Sequence, residues 1–161
     1  MPTTFVPWPR LAVRPMLNLR KDMAAPGTIY RWTTAYSVNI EILDKQHERL
    51  FDTVNELNRA LRSGSGGAAV ELILVRLVDY VHEHFTAEEL LMDYHGFPGL
   101  AAHKAEHAMF RKKIDAFLDG HNAGKTGVPV DLMLFMRTWL KDHVLTVDKR
   151  YSEFLNARGV R

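Results

Sequence analysis

Four stretches of this chain return an apolar side chain every three to four residues, and short runs rich in Gly, Ser, Asn and Pro separate them. A 3.6-residue period turns one apolar stripe to one side of a helix, and that stripe has to be buried against another element. The first stretch spans about 41–62, with Leu43, His47, Leu50, Phe51, Val54, Leu57 and Leu61 in step. Ser63-Gly64-Ser65-Gly66-Gly67 stops it. The second spans about 68–94, with Ile73, Leu74, Leu77, Val81, His84, Phe85, Glu88, Leu91 and Met92. Gly96 and Pro98 end it, and a third helix is expected from Pro98 to about Leu118 through Leu100, His103, His107, Phe110, Ile114 and Phe117. His121 to Gly127 reads as a loop. The fourth stretch, about 129–155, aligns Leu132, Phe135, Met136, Trp139, Leu140, His143, Val147 and Tyr151. No strand-like alternation competes. Four long helices with short connections specify an all-α fold, an antiparallel up-down-up-down four-helix bundle.

The stripes hold an anomaly: His47, His84, His103, His107 and His143, with Glu88 in step, sit where only apolar groups are expected. A buried imidazole or carboxylate without a partner is costly, so a shared partner is required. Residues four apart on a helix differ by about 40° and project from adjacent turns. His84 with Glu88 and His103 with His107 have this spacing, so each pair can face one point. The histidines fall early, late, early and late along the four successive helices. In an up-down-up-down bundle those positions meet at one end, leaving more purely apolar packing at the other.

Imidazole nitrogens and carboxylate oxygens make a donor set for iron, zinc, copper or manganese. The chain has no cysteine, which removes disulfides, iron–sulfur clusters and thiolate zinc sites. Asp148 is less clear from spacing. It follows His143 by five residues, about 140° around a regular helix. It either reaches the cluster through a local widening of the helix or is a surface acid beside Lys149 and Arg150. The other three histidines serve as controls. His95 lies about 16 Å along the helix from His84, His82 faces water, and His121 lies in the loop.

The 161 residues, 47% hydrophobic and 25% charged, suit one soluble domain with a real core. No run approaches the roughly 18 apolar residues of a bilayer span, so no membrane insertion is expected. The net charge of +2 hides an asymmetry. Residues 1–31 carry five basic side chains against Asp22, leaving sixteen basic and eighteen acidic residues behind them. A near-neutral body gives no reason to expect nucleic acid as a partner. Pro7, Pro9 and Pro15 prevent helical repetition near the start. Residues 1–30 are therefore expected to form an extended basic arm, with the bundle over 31–161. The arm lacks the apolar run and cleavage site of a secretory signal, so a cytoplasmic protein is expected, and Met23 is an alternative start.

The motifs resemble those of the hemerythrin family, particularly the bacterial single-domain hemerythrins. Trp32 and the segment Tyr36-Ser37-Val38-Asn39-Ile40 resemble the family's opening. LDKQHERLF (43–51) resembles its first-helix motif, and HFTAEE (84–89), HKAEH (103–107) and WLKDHVLTVD (139–148) resemble the other three. The resemblance covers about residues 31–155. It implies a non-haem di-iron centre of Fe2+/Fe3+ with an oxo or hydroxo bridge. His103, His107 and His143 would hold one iron, His47 and His84 the other, and Glu88 and Asp148 would bridge them. The iron with two histidines would keep an open position for dioxygen. Leu50, Phe85, Trp139 and Leu140, beside those residues on the stripes, are candidates for the wall of a dry dioxygen pocket.

The resemblance implies reversible oxygen binding for storage, transport or delivery, with no enzymatic turnover. An oxygen-consuming protein is a conceivable recipient, and a monomer is expected because no stripe outside the inward faces is apolar. Three other readings compete. A redox or oxygen sensor would need a signalling partner. A di-iron enzyme would show more carboxylates, often as Glu-x-x-His pairs. An iron-handling protein, or a site for zinc, could use the same donors.

Overall fold

The computed structural model describes residues 28–161, and the expected arm falls outside the described residues except for its last three. Among the described residues there are four long helices and no strand. The first is Glu41–Arg62, bounded as expected. The second runs Gly66–Tyr80, widens into a single π turn at Val81–Phe85 and continues as Thr86–Tyr94. The third is Leu100–Asn122. The fourth runs Val128–Asp142, widens at His143–Val147 and continues as Asp148–Asn156. The first packs on the second and fourth, and the third packs on the same two, which closes an antiparallel bundle.

Glycine sets two of the helix ends. Gly96 (φ +68°) and Gly124 (φ +68°) take the left-handed conformation that a side chain disfavours. Past each, the chain folds back on the last turn: Phe97 N donates to Met92 O at 2.8 Å and Lys125 N to Gly120 O at 2.9 Å. The third helix differs from expectation at both ends. Pro98 stands before it, in a turn closed by Leu100 N donating to Phe97 O. His121, expected in a loop, completes its last turn because the break is made by Gly124.

Two apolar cores occupy the interior. The larger joins Leu50–Leu57 of the first helix, Val70–Phe85 of the second, Phe110–Phe117 of the third and Val128–Leu140 of the fourth. The smaller joins Val38, Ile40, Leu43, Met92, Tyr151 and Leu155. Tyr80, not Val81, turns inward on the second helix, because the extra residue of the π turn shifts the stripe there. The entrance to the first helix is fastened by side chains. Asp44 accepts from Val38 N at 2.7 Å and from Ser37 Oγ at 2.5 Å, and buried Asn55 accepts from Ile29 N and Tyr30 N, both at 3.0 Å.

Candidate metal centre

Between the two cores lies a buried polar layer. His47, His84, His107, Glu88 and Asp148 have no exposed surface, and His103 and His143 are 3% exposed. All seven residues singled out by spacing and motif are therefore together. Asp148 is no surface acid. The π turn at His143–Val147 accommodates one more residue than a regular turn, so a five-residue step brings Asp148 back to the face of His143. Their side chains approach to 3.2 Å, Nε2 to Oδ1. His82 is exposed, as expected, and His95 caps the second helix away from the layer.

The two carboxylates divide their oxygens between two groups of imidazoles. Glu88 Oε1 lies 3.1 Å from His84 Nε2 and 3.9 Å from His47 Nε2. Its Oε2 lies 3.2 Å from His103 Nε2 and 3.1 Å from His107 Nε2. Asp148 repeats the division, with Oδ2 3.2 Å from His47 and Oδ1 3.2 Å from His143 and 3.7 Å from His103. One half of the layer thus has His47 and His84, the other His103, His107 and His143, with both acids between them.

These contacts are close, yet many are not aligned as hydrogen bonds. Nε2 of His47, His84, His107 and His143 and both oxygens of Asp148 lack a hydrogen-bond partner among the described residues. Lone pairs that converge in this way, without satisfying one another, fit bound cations. Among the described residues, donor atoms close enough to share one ion occur twice, as Glu88, His103, His107 and His143 and as His47, His84 and Glu88.

Neighbours that spacing did not reveal fix the imidazoles. His84 Nδ1 donates to Gln46 Oε1 at 2.8 Å, and His107 Nδ1 donates to Glu89 Oε1 at 2.9 Å. With the proton on Nδ1, the inward Nε2 keeps its lone pair. Glu89 is held in turn by Arg111 at 3.1 Å. Tyr151 donates to Glu88 Oε1 at 2.5 Å. Gln46 and Glu89 each stand next to a singled-out residue in the chain, and Tyr151 follows Asp148 by three positions on the same stripe. Those adjacencies were the available signal, but they do not say which neighbouring helix each side chain meets.

Aromatic rings sheathe the layer. Phe85 lies flat on His107 (3.6 Å, 2°), Trp139 on His143 (4.3 Å, 15°) and Tyr80 on His84 (4.6 Å, 26°), with Trp32 over His47 at 6.3 Å. Phe85, Leu50 and Leu140 are buried in the larger core, and Trp139 is half-buried against it.

Burial works against charge here, and the neighbours decide the outcome. For Glu88, burial pushes the carboxyl up, but the neighbouring imidazoles of His84, His103 and His107 hold it well below its ordinary value. For Asp148, burial and the Glu88 charge push up, while His143 and His47 bring it down to about 2. Both acids are thus anionic at neutral pH. His84 is lowered by burial despite the nearby Glu88 charge. Tyr151 is raised well above its ordinary value by burial and then by Glu88 and Asp148, so it stays a donor.

Fold and layer together define a four-helix bundle with a histidine-rich centre for two metal ions. A model of the hemerythrin HHE cation binding domain matches residues 38–155. A bacteriohemerythrin of Methylococcus capsulatus is 36% identical over 127 residues, covering 78% of this chain and 96% of the relative. One from Stenotrophomonas maltophilia is 31% identical over 78% of this chain and 81% of its own length. A crystal structure of wild-type hemerythrin superimposes with a TM-score of 0.72 at 35% identity, covering 79% of this chain and 98% of that one. The chain belongs to the hemerythrin family, whose members bind dioxygen at a di-iron centre.

Proposed function

We propose that this protein binds dioxygen reversibly, for storage, transport or delivery, and that the seven buried residues hold its two irons. The division of the Glu88 and Asp148 oxygens between two and three imidazoles carries this reading. His103, His107 and His143 would hold one metal and His47 and His84 the other, with Glu88 and Asp148 shared between the two sets. Two imidazoles in place of three leave the second metal one protein donor short. When bound, the iron pair supplies that open position and the two electrons that reversible oxygen binding draws on.

The remaining residues keep this centre rigid and dry. Gln46 and Glu89 hold two imidazoles in the tautomer that offers Nε2 inward. Tyr151 fixes one Glu88 oxygen and supplies a donor in a layer otherwise rich in acceptors. Leu50, Phe85, Trp139 and Leu140 form the pocket wall that excludes water, whose protons would promote irreversible oxidation. Their burial in or against the larger core supports that role. A donor set of five imidazoles and only two carboxylates favours binding over oxidative turnover, so the protein is not an enzyme. We place it in the cytoplasm as a monomer. No helix among the described residues is long and apolar enough to cross a membrane. Its exposed large apolar side chains, such as Ile42, Leu90, Met109 and Leu134, are spread over all four helices.

The deciding experiment adds ferrous iron to metal-free protein without air. Two irons per chain and a colourless product are expected, followed by a visible absorption in air that vanishes under vacuum. Colour that persists under vacuum, or consumption of an added reductant, overturns reversible binding. One iron per chain overturns the ligand set.

A further inference from the structure

Two tyrosines flank the buried layer, and their hydroxyls are in opposite condition. Tyr151 belongs to the smaller core and donates to Glu88 Oε1 at 2.5 Å. Tyr80 belongs to the larger core, and its hydroxyl is buried with no hydrogen-bond partner among the described residues. Only 9% of the Tyr80 surface is exposed. A buried O–H left unpaired is costly, so this one stands ready for an acceptor that the described residues do not supply.

The place of that hydroxyl narrows the acceptor. The Tyr80 ring lies against the His84 imidazole, 4.6 Å away and tilted by 26°, in the half of the layer that has two imidazoles where the other has three. Leu50 and Phe85 of the same core are apolar, with the Phe85 ring 5.9 Å from that of Tyr80. Tyr80, His84, Gln46 and Leu50 are also the buried part of the lining of a cleft of about 230 Å³ between the first and second helices, room enough for a small solute. Burial, and after it the charges of Glu88 and Asp148, push the phenol's ionisation well above the ordinary tyrosine range, so it keeps a proton to donate. The indole N–H of Trp139 is likewise buried and unpartnered among the described residues. Its ring, however, stacks on His143, in the half with three imidazoles.

We propose that Tyr80 is the hydrogen-bond donor to the small ligand that takes the open position beside His47 and His84, whether dioxygen or a small anion. The role rests on the ligand set proposed above. The stack on His84 fixes the phenol before any ligand arrives, so little freedom is lost on binding. A hydrogen bond from the hydroxyl favours negative charge on the ligand's outer atom and slows its escape. No proton is transferred and no covalent bond of the phenol changes. Ligands that accept hydrogen bonds well are thereby held more tightly than ligands that accept them poorly.

The test compares the full-length parent with Tyr80→Phe, which keeps the ring and removes only the O–H. Both should bind two irons per chain. In the metal-free state Tyr80→Phe should unfold in denaturant at the parent's midpoint or above it, because no satisfied hydrogen bond is lost. The oxidised iron-loaded protein is titrated with azide by visible absorption. Tyr80→Phe should bind azide about tenfold more weakly, the size of one hydrogen bond to a charged group, and release dioxygen faster in stopped flow. Nitric oxide, a poor hydrogen-bond acceptor, should bind the ferrous forms of both chains equally. Equal azide affinity overturns the donor role, and so does an equal loss for azide and nitric oxide, which would mean that His84 had moved. A lower unfolding midpoint in metal-free Tyr80→Phe overturns it too, since the hydroxyl would already be paired. A phenolate-to-ferric absorption in the oxidised parent that Tyr80→Phe lacks would make Tyr80 a metal ligand and likewise overturn it. Colour that persists under vacuum beside a tenfold azide difference would overturn reversible oxygen binding and leave the donor role standing. A parent with fewer than two irons overturns the ligand set, and the donor role with it.

Discussion

The polar layer and the larger apolar core are built by the same four helices on opposite principles. In the core, Leu57, Leu74, Leu77 and Leu132 lose nearly all exposure and need only shape and volume to be stabilising. In the layer, seven polar side chains are equally buried, and five imidazole nitrogens and both oxygens of Asp148 are left unsatisfied among the described residues. Burial that stabilises one region destabilises the other until something fills the shared centre. The bundle therefore has one region stabilised by burial alone and one whose donor set suits metal.

Metal loading should break this comparison most visibly. Thermal unfolding followed by circular dichroism should show a higher midpoint with two irons bound than without, by more than any single substitution below. An unchanged midpoint would mean that the layer is already satisfied. His84→Ala should then remove the layer's function while sparing the core, dropping bound iron from two per chain to one or none. His95→Ala, a histidine of the same helix outside the layer, should retain both irons. Equal losses would show that the layer is not the site. Leu74→Ala should do the reverse of His84→Ala. It should cost about 2–5 kcal/mol in denaturant unfolding and leave two irons per chain. The smallest effect sharpens the comparison within the layer itself. Glu89→Gln keeps a hydrogen-bond acceptor for His107 but removes the charge behind it, so metal affinity should fall at most about 10- to 100-fold, measured by chelator competition. An unchanged affinity would reduce Glu89 to a surface partner of Arg111.

Much of the fold and most of the layer were legible in the chain because both are written in local periods. The stripe Leu43, His47, Leu50, Phe51, Val54, Leu57 is buried along the first helix as read. The four-residue steps of His84 to Glu88 and His103 to His107 each return to one face. Asp148 was ambiguous for a definite reason. A five-residue step faces outward on a regular helix and inward on a π turn, and spacing alone does not choose between them. The π turn at Val81–Phe85, which buries Tyr80 in place of Val81, was likewise not legible. His121 was misplaced because 121–127, rich in Gly and Asn, reads as a loop from its first residue, whereas the break is made only at Gly124 with its positive φ.

Composition and periodicity by themselves determined the four helices, their apolar faces and the common depth of five histidines, since each follows from the angle between successive residues. The tertiary structure alone decided which oxygen of each acid faces which imidazole, and that Gln46, Glu89 and Tyr151 close around the centre. Those features depend on how neighbouring helices are rotated and spaced. That rotation is set by the packing of whole faces against one another, and no single helix encodes it.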